Sequence, residues 1–312
     1  MKEHIVIVGS VALDSITTPF GKINRGVGGS SVYSSLAASF FSPVAIIGVV
    51  GADFPGGFLA KLNKKGINTD GIKREPGKTF FWRGKYSWDI STAISLDTQL
   101  NVFEKFDPSV PEYLRASKHL FLANIDPVLQ KKVLKQMKPR KSGGFTALDT
   151  MNFWIESKKK HIGALLPGLG ALLINEAEIR QYTGEHSIIK AARQLLKKGV
   201  KTVVVKKGEY GVGCFSQKGM FFLPAYPLED AVDPTGAGDS FAGAFMGYLA
   251  SSGKITWKSI KKAAAYGTVI SSFTVSGFGV NGLIDLKKSD VDKRYREFVE
   301  LVHFEEVRRI GG

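Results

Sequence analysis

Two aspartates bracket the run Asp233-Pro234-Thr235-Gly236-Ala237-Gly238-Asp239, which leads into the small, apolar stretch Ser240-Phe241-Ala242-Gly243-Ala244-Phe245-Met246. Glycine at 236 and 238 lets successive backbone N–H groups converge into an anion-holding nest at the start of a helix. The helix dipole adds positive potential at the same place. Asp239 then sets a carboxylate beside a pocket shaped for negative charge. That pairing is costly unless the carboxylate takes a proton while the nest holds the charge developing opposite it. Phosphoryl transfer to an alcohol needs both parts, a base on the attacking hydroxyl and donors around the phosphoryl oxygens. An isolated G-x-G-D is more simply a chain reversal with an acid in the first helical turn.

The full seven-residue run and the helix that follows it resemble a signature of the ribokinase family, the phosphofructokinase-B-like carbohydrate and nucleoside kinases. The resemblance implies an ATP-dependent, Mg-assisted kinase. Asp239 would be its base, backbone N–H groups at Gly236, Ala237 and Gly238 would hold the transferring group, and Thr235 would lie with the nucleotide. Gly28-Gly29 resembles the family's diglycine, whose backbone approaches the sugar, with Ser30 and Ser31 available to cap the next helix. Asp14 matches an aspartate that bonds sugar hydroxyls, and a carboxylate can indeed accept from two vicinal hydroxyls at once.

Further along, Asn175-Glu176-Ala177-Glu178 resembles the family's N-x-x-E motif, which helps hold the magnesium–phosphate assembly, Glu178 through water. Lys206-Lys207-Gly208-Glu209-Tyr210-Gly211 resembles the nucleotide loop. There Lys206 would pair with phosphate, while Gly208 and Gly211 would permit a hairpin. The stretch containing Gly267 and Ser271 falls where the family holds adenine. Asn124, Asp149 and Asn152, near predicted strand ends, would complete the acceptor pocket. One position departs from the pattern: Tyr33 stands where the family commonly has a substrate-contacting asparagine. A phenol cannot reproduce an amide's two-sided hydrogen bonding. Ribose is therefore expected to be a poor acceptor beside a nucleoside or modified sugar that could use ring surface from Tyr33, with Phe81 or Trp82 above it.

The elements needed to position these groups are legible as alternation. Apolar, often β-branched runs at 5–8, 44–49, 119–122, 145–148, 171–174 and 202–205 interleave with helical patterns near 30–41, 56–65, 127–138, 175–182 and 187–198. Helices then dominate, through 239–251, 256–275 and 290–302. This predicts one α/β domain over 1–312, a three-layer α/β/α fold with a mainly parallel sheet. Two segments break the rhythm: 11–26 is turn-rich, and 78–106 alternates like strands. They predict a small β-lid, useful to a kinase that must keep water from the phosphoryl group. Its aromatics Phe80, Phe81, Trp82, Tyr86 and Trp88 form either a hydrophobic face, which in this family often pairs subunits into a homodimer, or a stacking surface for substrate.

Composition removes several other classes. The 312 residues include one cysteine, Cys214, and show no apolar stretch long enough to span a membrane, which predicts a cytoplasmic protein. The net charge of +15 comes from scattered lysine pairs without interleaved aromatics, which favours solvated helix faces over specific nucleic-acid binding. Gly277-Phe278-Gly279-Val280-Asn281-Gly282 satisfies G-x-G-x-x-G, yet too little chain follows for a dinucleotide fold. No Walker-type G-x-x-x-x-G-K-[ST] occurs. Three readings remain: a sugar or sugar-derivative kinase, a nucleoside kinase, and a catalytically idle sugar- or nucleotide-binding regulator on the same fold. The intact nest with Asp239 argues against the last.

Overall fold

The computed structural model describes residues 4–90, 92–138 and 144–304. Among these residues there are thirteen strands, in chain order β1 (Ile5–Val8), β2 (Ala12–Thr18), β3 (Gly21–Gly28), β4 (Val44–Val50), β5 (Ile67–Arg74), β6 (Phe80–Tyr86), β7 (Ala93–Gln99), β8 (His119–Leu122), β9 (Phe145–Asp149), β10 (Ala171–Asn175), β11 (Thr202–Lys206), β12 (Val212–Ser216) and β13 (Gly219–Leu223). Nine of them form one sheet in the order β13-β12-β11-β10-β9-β8-β1-β4-β5. Pairing is parallel from β11 through β5, while β12 and β13 close one side as an antiparallel hairpin. Strands such as β1 and β4 are apolar along their whole length because helices cover both faces.

Among the described residues ten α-helices accompany the sheet: α1 (Ser30–Ala38), α2 (Gly56–Lys64), α3 (Pro127–Gln136), α4 (Asn152–Gly163), α5 (Glu176–Thr183), α6 (Ile188–Lys197), α7 (Ala237–Ser251), α8 (Trp257–Val275), α9 (Asn281–Ile284) and α10 (Lys288–Leu301). Helices α1, α2, α7, α8 and α10 send Leu36, Leu62, Phe245, Ile270 and Phe298 into one core. Helices α3 to α6 supply Val133, Ile155, Ile179 and Leu195 to the core on the other face. The small residues of α7 serve packing. A side chain at Gly243 would strike the backbone of Ser34, and one at Gly247 the backbone of Ala38, so α1 and α7 can approach closely.

Strands β2, β3, β6 and β7 are elsewhere, in a separate four-stranded sheet of order β3-β2-β6-β7. Its central pair, β2 and β6, runs parallel with Asp14 opposite Trp82, and hairpins attach β3 and β7 at the sides. Strand β3 ends on Gly28, so this small sheet feeds directly into the diglycine and α1. It is tied to the main sheet through Asp53, whose Oδ1 accepts from both the backbone N–H and the Oγ1 of Thr79, each at 2.7 Å, and which also pairs with Arg25. The aromatics of β6 do separate jobs. Phe80 stacks on Phe103 at 5.4 Å, Phe81 lies under the Arg25 guanidinium, Trp82 covers Gly84 while donating to Ser95 Oγ, and Trp88, beyond the strand, is 83% exposed. Strand β5, helices α4 and α9, and the β12–β13 hairpin as sheet strands lie outside the sequence reading, their apolar runs being short or mixed with charge.

Candidate active site

The loop at 233–239 is staked before it reaches α7. Asp233 is buried, and its carboxylate accepts from Thr235 N–H and from Gly279 N–H, both at 2.9 Å. The N–H groups of Val232 and Asp233 both donate to Val275 O at the end of α8. Thus Gly277-Phe278-Gly279 is a brace for the loop rather than part of a dinucleotide motif. Gly236 follows at φ 77°, a left-handed conformation that favours glycine. Any Cβ there would also meet the ring of Tyr33. The expected donor set needs one correction: Ala237 N–H is already bonded to Pro234 O at 3.1 Å, closing the turn. The N–H groups of Gly236, Gly238 and Asp239 make no hydrogen bond among the described residues, and they lie at the positive end of α7.

Three strand ends bring charge to the same place. Lys206 closes β11, and its Nζ donates to Asp149 Oδ2, at the end of β9, over 2.7 Å. The ammonium also lies against Gly238, 3.2 Å from where a Cβ would stand. Between them, β10 ends in Asn175, which forms a capping box with Glu178. Asn175 Oδ1 accepts from Glu178 N–H at 2.8 Å, and Glu178 Oε2 accepts from Asn175 N–H at 2.9 Å. Asp149 was expected with the acceptor group but is instead committed to Lys206, which lies against Gly238 at the start of α7.

These neighbours set the protonation. Burial, then the negative charge of Asp149 and Glu178, pushes the Asp239 carboxyl up to about 7 against the pull of Lys206. Glu178 is likewise pushed to about 7, by burial first and Asp149 second, again opposed by Lys206. Burial alone would lower Lys206, but Asp149, Glu178 and Asp239 together hold it above its ordinary value. Three carboxylates around one ammonium leave surplus negative charge, which a divalent cation would relieve. Among the described residues no three acidic, histidine or cysteine side chains converge into a cage. A Mg²⁺ ion would therefore be held through water and phosphate oxygens, with Glu178 and Asp149 as outer partners.

Beside the diglycine, Asp14 is buried on β2. Burial, then Asp233 and Asp239, raises its carboxyl to about 8, although Gly29 N–H donates to it. Both expected glycines are required by contact: a Cβ at Gly28 would land on Asp14 Oδ2, and one at Gly29, where φ is 97°, on Ser10 O. Helix α1 is not capped by its own serines. Ser10 Oγ, just beyond β1, accepts from Ser30 N–H at 3.0 Å. Asn124, after β8, offers a buried Oδ1 with no hydrogen-bond partner. Tyr33 corrects an expectation. Its ring is wedged between Gly28 and Gly236 and is 1% exposed, so it has no open face for stacking, while its buried hydroxyl is unpaired.

Three further expectations are not brought to the site. Asn152 is an exposed residue opening α4 and makes no bond to the acceptor group. Gly267 lies inside α8, where a side chain would meet the ring of Phe241; it is a helix-packing glycine and cannot face a nucleotide. Ser271 spends its hydroxyl on Thr268 O within the same helix. Gly208 and Gly211 do shape the β11–β12 turn at φ 57° and 89°, and Gly211 is forced by the passing backbone of Leu223 and Pro224. Asp233 and Asp53 carry no role in the sequence pattern, and Tyr86 reads there only as a lid aromatic; Gly279, Thr79 and Thr235, the partners that define them, lie 46, 26 and 149 positions away.

Comparison with known proteins bears on the family and the fold. The family model described as pfkB family carbohydrate kinase matches residues 2–286. A cytidine kinase from Thermococcus kodakarensis is 29% identical over 252 residues, spanning 78% of this chain and 87% of that protein. The solved structure of a Burkholderia thailandensis nucleoside kinase with inosine superposes at TM-score 0.78 with 15% identity, covering 94% of this chain and 97% of that one. A structure described as a ribokinase II from E. coli, in complex with ATP and Mg²⁺, superposes at 0.77 with 19% identity, covering 95% and 99%. No helix among the described residues is long and apolar enough to cross a membrane. The chain belongs to the pfkB family of carbohydrate kinases, ATP-dependent enzymes that phosphorylate sugars or nucleosides.

Proposed function

We propose that the chain transfers the γ-phosphoryl group of Mg·ATP to a ribose hydroxyl of a nucleoside. The observation that carries this choice of acceptor is the likeness to a cytidine kinase, which runs through most of both chains. Asp14, beside Gly28 and Gly29, holds the ribose hydroxyls, and Asn124 Oδ1 accepts a further hydrogen bond from the acceptor. Asp239 takes the proton of the attacking hydroxyl as the new oxygen–phosphorus bond forms and ADP departs. The N–H groups of Gly236 and Gly238 and the Lys206 ammonium meet the charge on the transferring group. Mg²⁺ would neutralise phosphate charge when bound, and Glu178 and Asp149 would hold it through water.

A steady-state panel of ribose, fructose, cytidine, adenosine and inosine at fixed Mg·ATP tests the acceptor class. A nucleoside is expected to give the highest kcat/KM, by ~10-fold or more over ribose, because one well-satisfied buried polar group is worth ~1–3 kcal/mol. The highest value for ribose or fructose would make the chain a sugar kinase and end the nucleoside reading.

We assign the cytoplasm as its compartment, supported by a lone, buried, unpaired Cys214. A second copy of the chain is the partner we assign to the small sheet. Trp88 and Phe20 lie 6.4 Å apart and are exposed, as are Ile94 and Leu96 on β7, which is an open edge of that sheet. Light scattering after gel filtration is expected to give about twice 33.9 kDa for the wild type and the single mass for Ile94→Lys/Leu96→Lys. A wild-type monomer at tens of micromolar would refute the assignment.

A further inference from the structure

Tyr86 is the last residue of β6, and its hydroxyl is 3.1 Å from Thr235 Oγ1, in the loop that precedes α7. The other end of β6 is fixed as well. Thr79 is bonded to Asp53 through its N–H and Oγ1, and Gly51 N–H donates to Thr79 Oγ1 at 3.0 Å. Seven residues of extended chain span roughly 23 Å, so β6 is a strap with both ends on the main body. Along it, Asp14 of β2 is the direct neighbour of Trp82, four residues before Tyr86. Thr235 is equally well placed on its own side. Its N–H is held by Asp233, and the next residue is Gly236, seated on the Tyr33 ring. A shift of the strap is thus delivered to the turn that presents the free N–H groups.

We propose that Tyr86 is a positioning residue which, through Thr235, sets the phosphate-holding loop in its transfer geometry only when the small sheet is seated over the acceptor. The consequence lies in partition. In productive transfer the acceptor oxygen bonds to the γ-phosphorus, the bond to ADP breaks, and the acceptor proton passes to Asp239. In the wasteful reaction water supplies the oxygen and inorganic phosphate leaves. Coupling the loop to the seated sheet suppresses the second route until the acceptor is in place.

The test uses the full-length chain, Mg·ATP and whichever acceptor of the panel above is best. Tyr86→Phe removes one hydroxyl, Thr235→Val cuts the same bond from the loop side, and Thr235→Ser keeps it. Tyr86→Phe is expected to lower kcat by ~5–20-fold and to raise the ratio of ADP formed to acceptor phosphorylated at least ~3-fold. Affinity for Mg with a non-hydrolysable ATP analogue, measured by calorimetry, stays within ~2-fold, because the bond is not to the nucleotide. Thr235→Ser is expected to retain wild-type partition. The double variant Tyr86→Phe/Thr235→Val is expected to be no worse than the poorer single variant, since both remove one interaction. Unchanged partition in Tyr86→Phe, or losses that multiply in the double variant, would overturn the proposal. A failure of every acceptor would instead count against the kinase reading itself.

Discussion

Asp239→Asn is expected to lower kcat by ~10²–10⁴ while affinity for Mg·ATP changes by less than ~3-fold. The amide keeps the size of the carboxylate and the start of α7, including the bond from Ser34 Oγ to the Asp239 carbonyl, but it cannot accept a proton. Two independent readings go with this loss. Asp239 is pushed up to about 7, so wild-type kcat/KM should fall as pH drops through about 7, where the base becomes protonated. The second is stability. An acid whose folded-state pKa lies above its ordinary 3.8 favours the fold at low pH and loses that contribution as pH climbs through 7. Above pH 7 the charged Asp239 is therefore a cost to the fold. Replacing it by asparagine should stabilise by on the order of 1–3 kcal/mol, discounted for its partial exposure, and raise Tm by a few degrees. A variant with more than about a third of wild-type turnover, with chemistry rate-limiting, would mean that Asp239 is not the base.

What the sequence disclosed, and what it did not, follows from the range of the interactions. The parallel strands were legible because a strand covered on both faces must be apolar throughout, as in β1 and β4. The loop at 233–239 was legible because a left-handed turn and a close approach by Tyr33 leave glycine as the residue for position 236. The diglycine speaks the same way, since Asp14 and Ser10 exclude any side chain there. Roles fixed by distant partners were not legible. Asp149 reads like any polar residue at a strand end until Lys206, 57 positions on, is found bonded to it. Gly267 and Tyr33 were misread for a related reason. Each faces a neighbour from another element, Phe241 in one case and Gly236 in the other, and packing decides what such a residue can reach. Position in a signature locates a residue near a site but does not aim its side chain.

Lys206→Met is expected to lower kcat/KM for Mg·ATP by ~10²–10³, comparable to the loss of a preorganised donor on a developing charge. Methionine keeps the stem length and removes the ammonium that lies between Asp149 and Gly238. With it gone, Asp149, Glu178 and Asp239 face one another uncompensated. Lys206 is the group that pulls the Asp239 and Glu178 carboxyls down, so in the variant the acid limb of the kcat/KM profile should move above pH 7. The same variant should lose stability, because breaking a buried pair strands its partner. A purely architectural role for Lys206 would predict that relieving the stranded charge restores function. Lys206→Met/Asp149→Asn separates the two: the neutral amide should recover most of the lost Tm, yet turnover should stay low because no cation faces the transferring phosphoryl group. Recovery of turnover along with Tm in that double variant would show that Lys206 acts only by compensating the charge of Asp149.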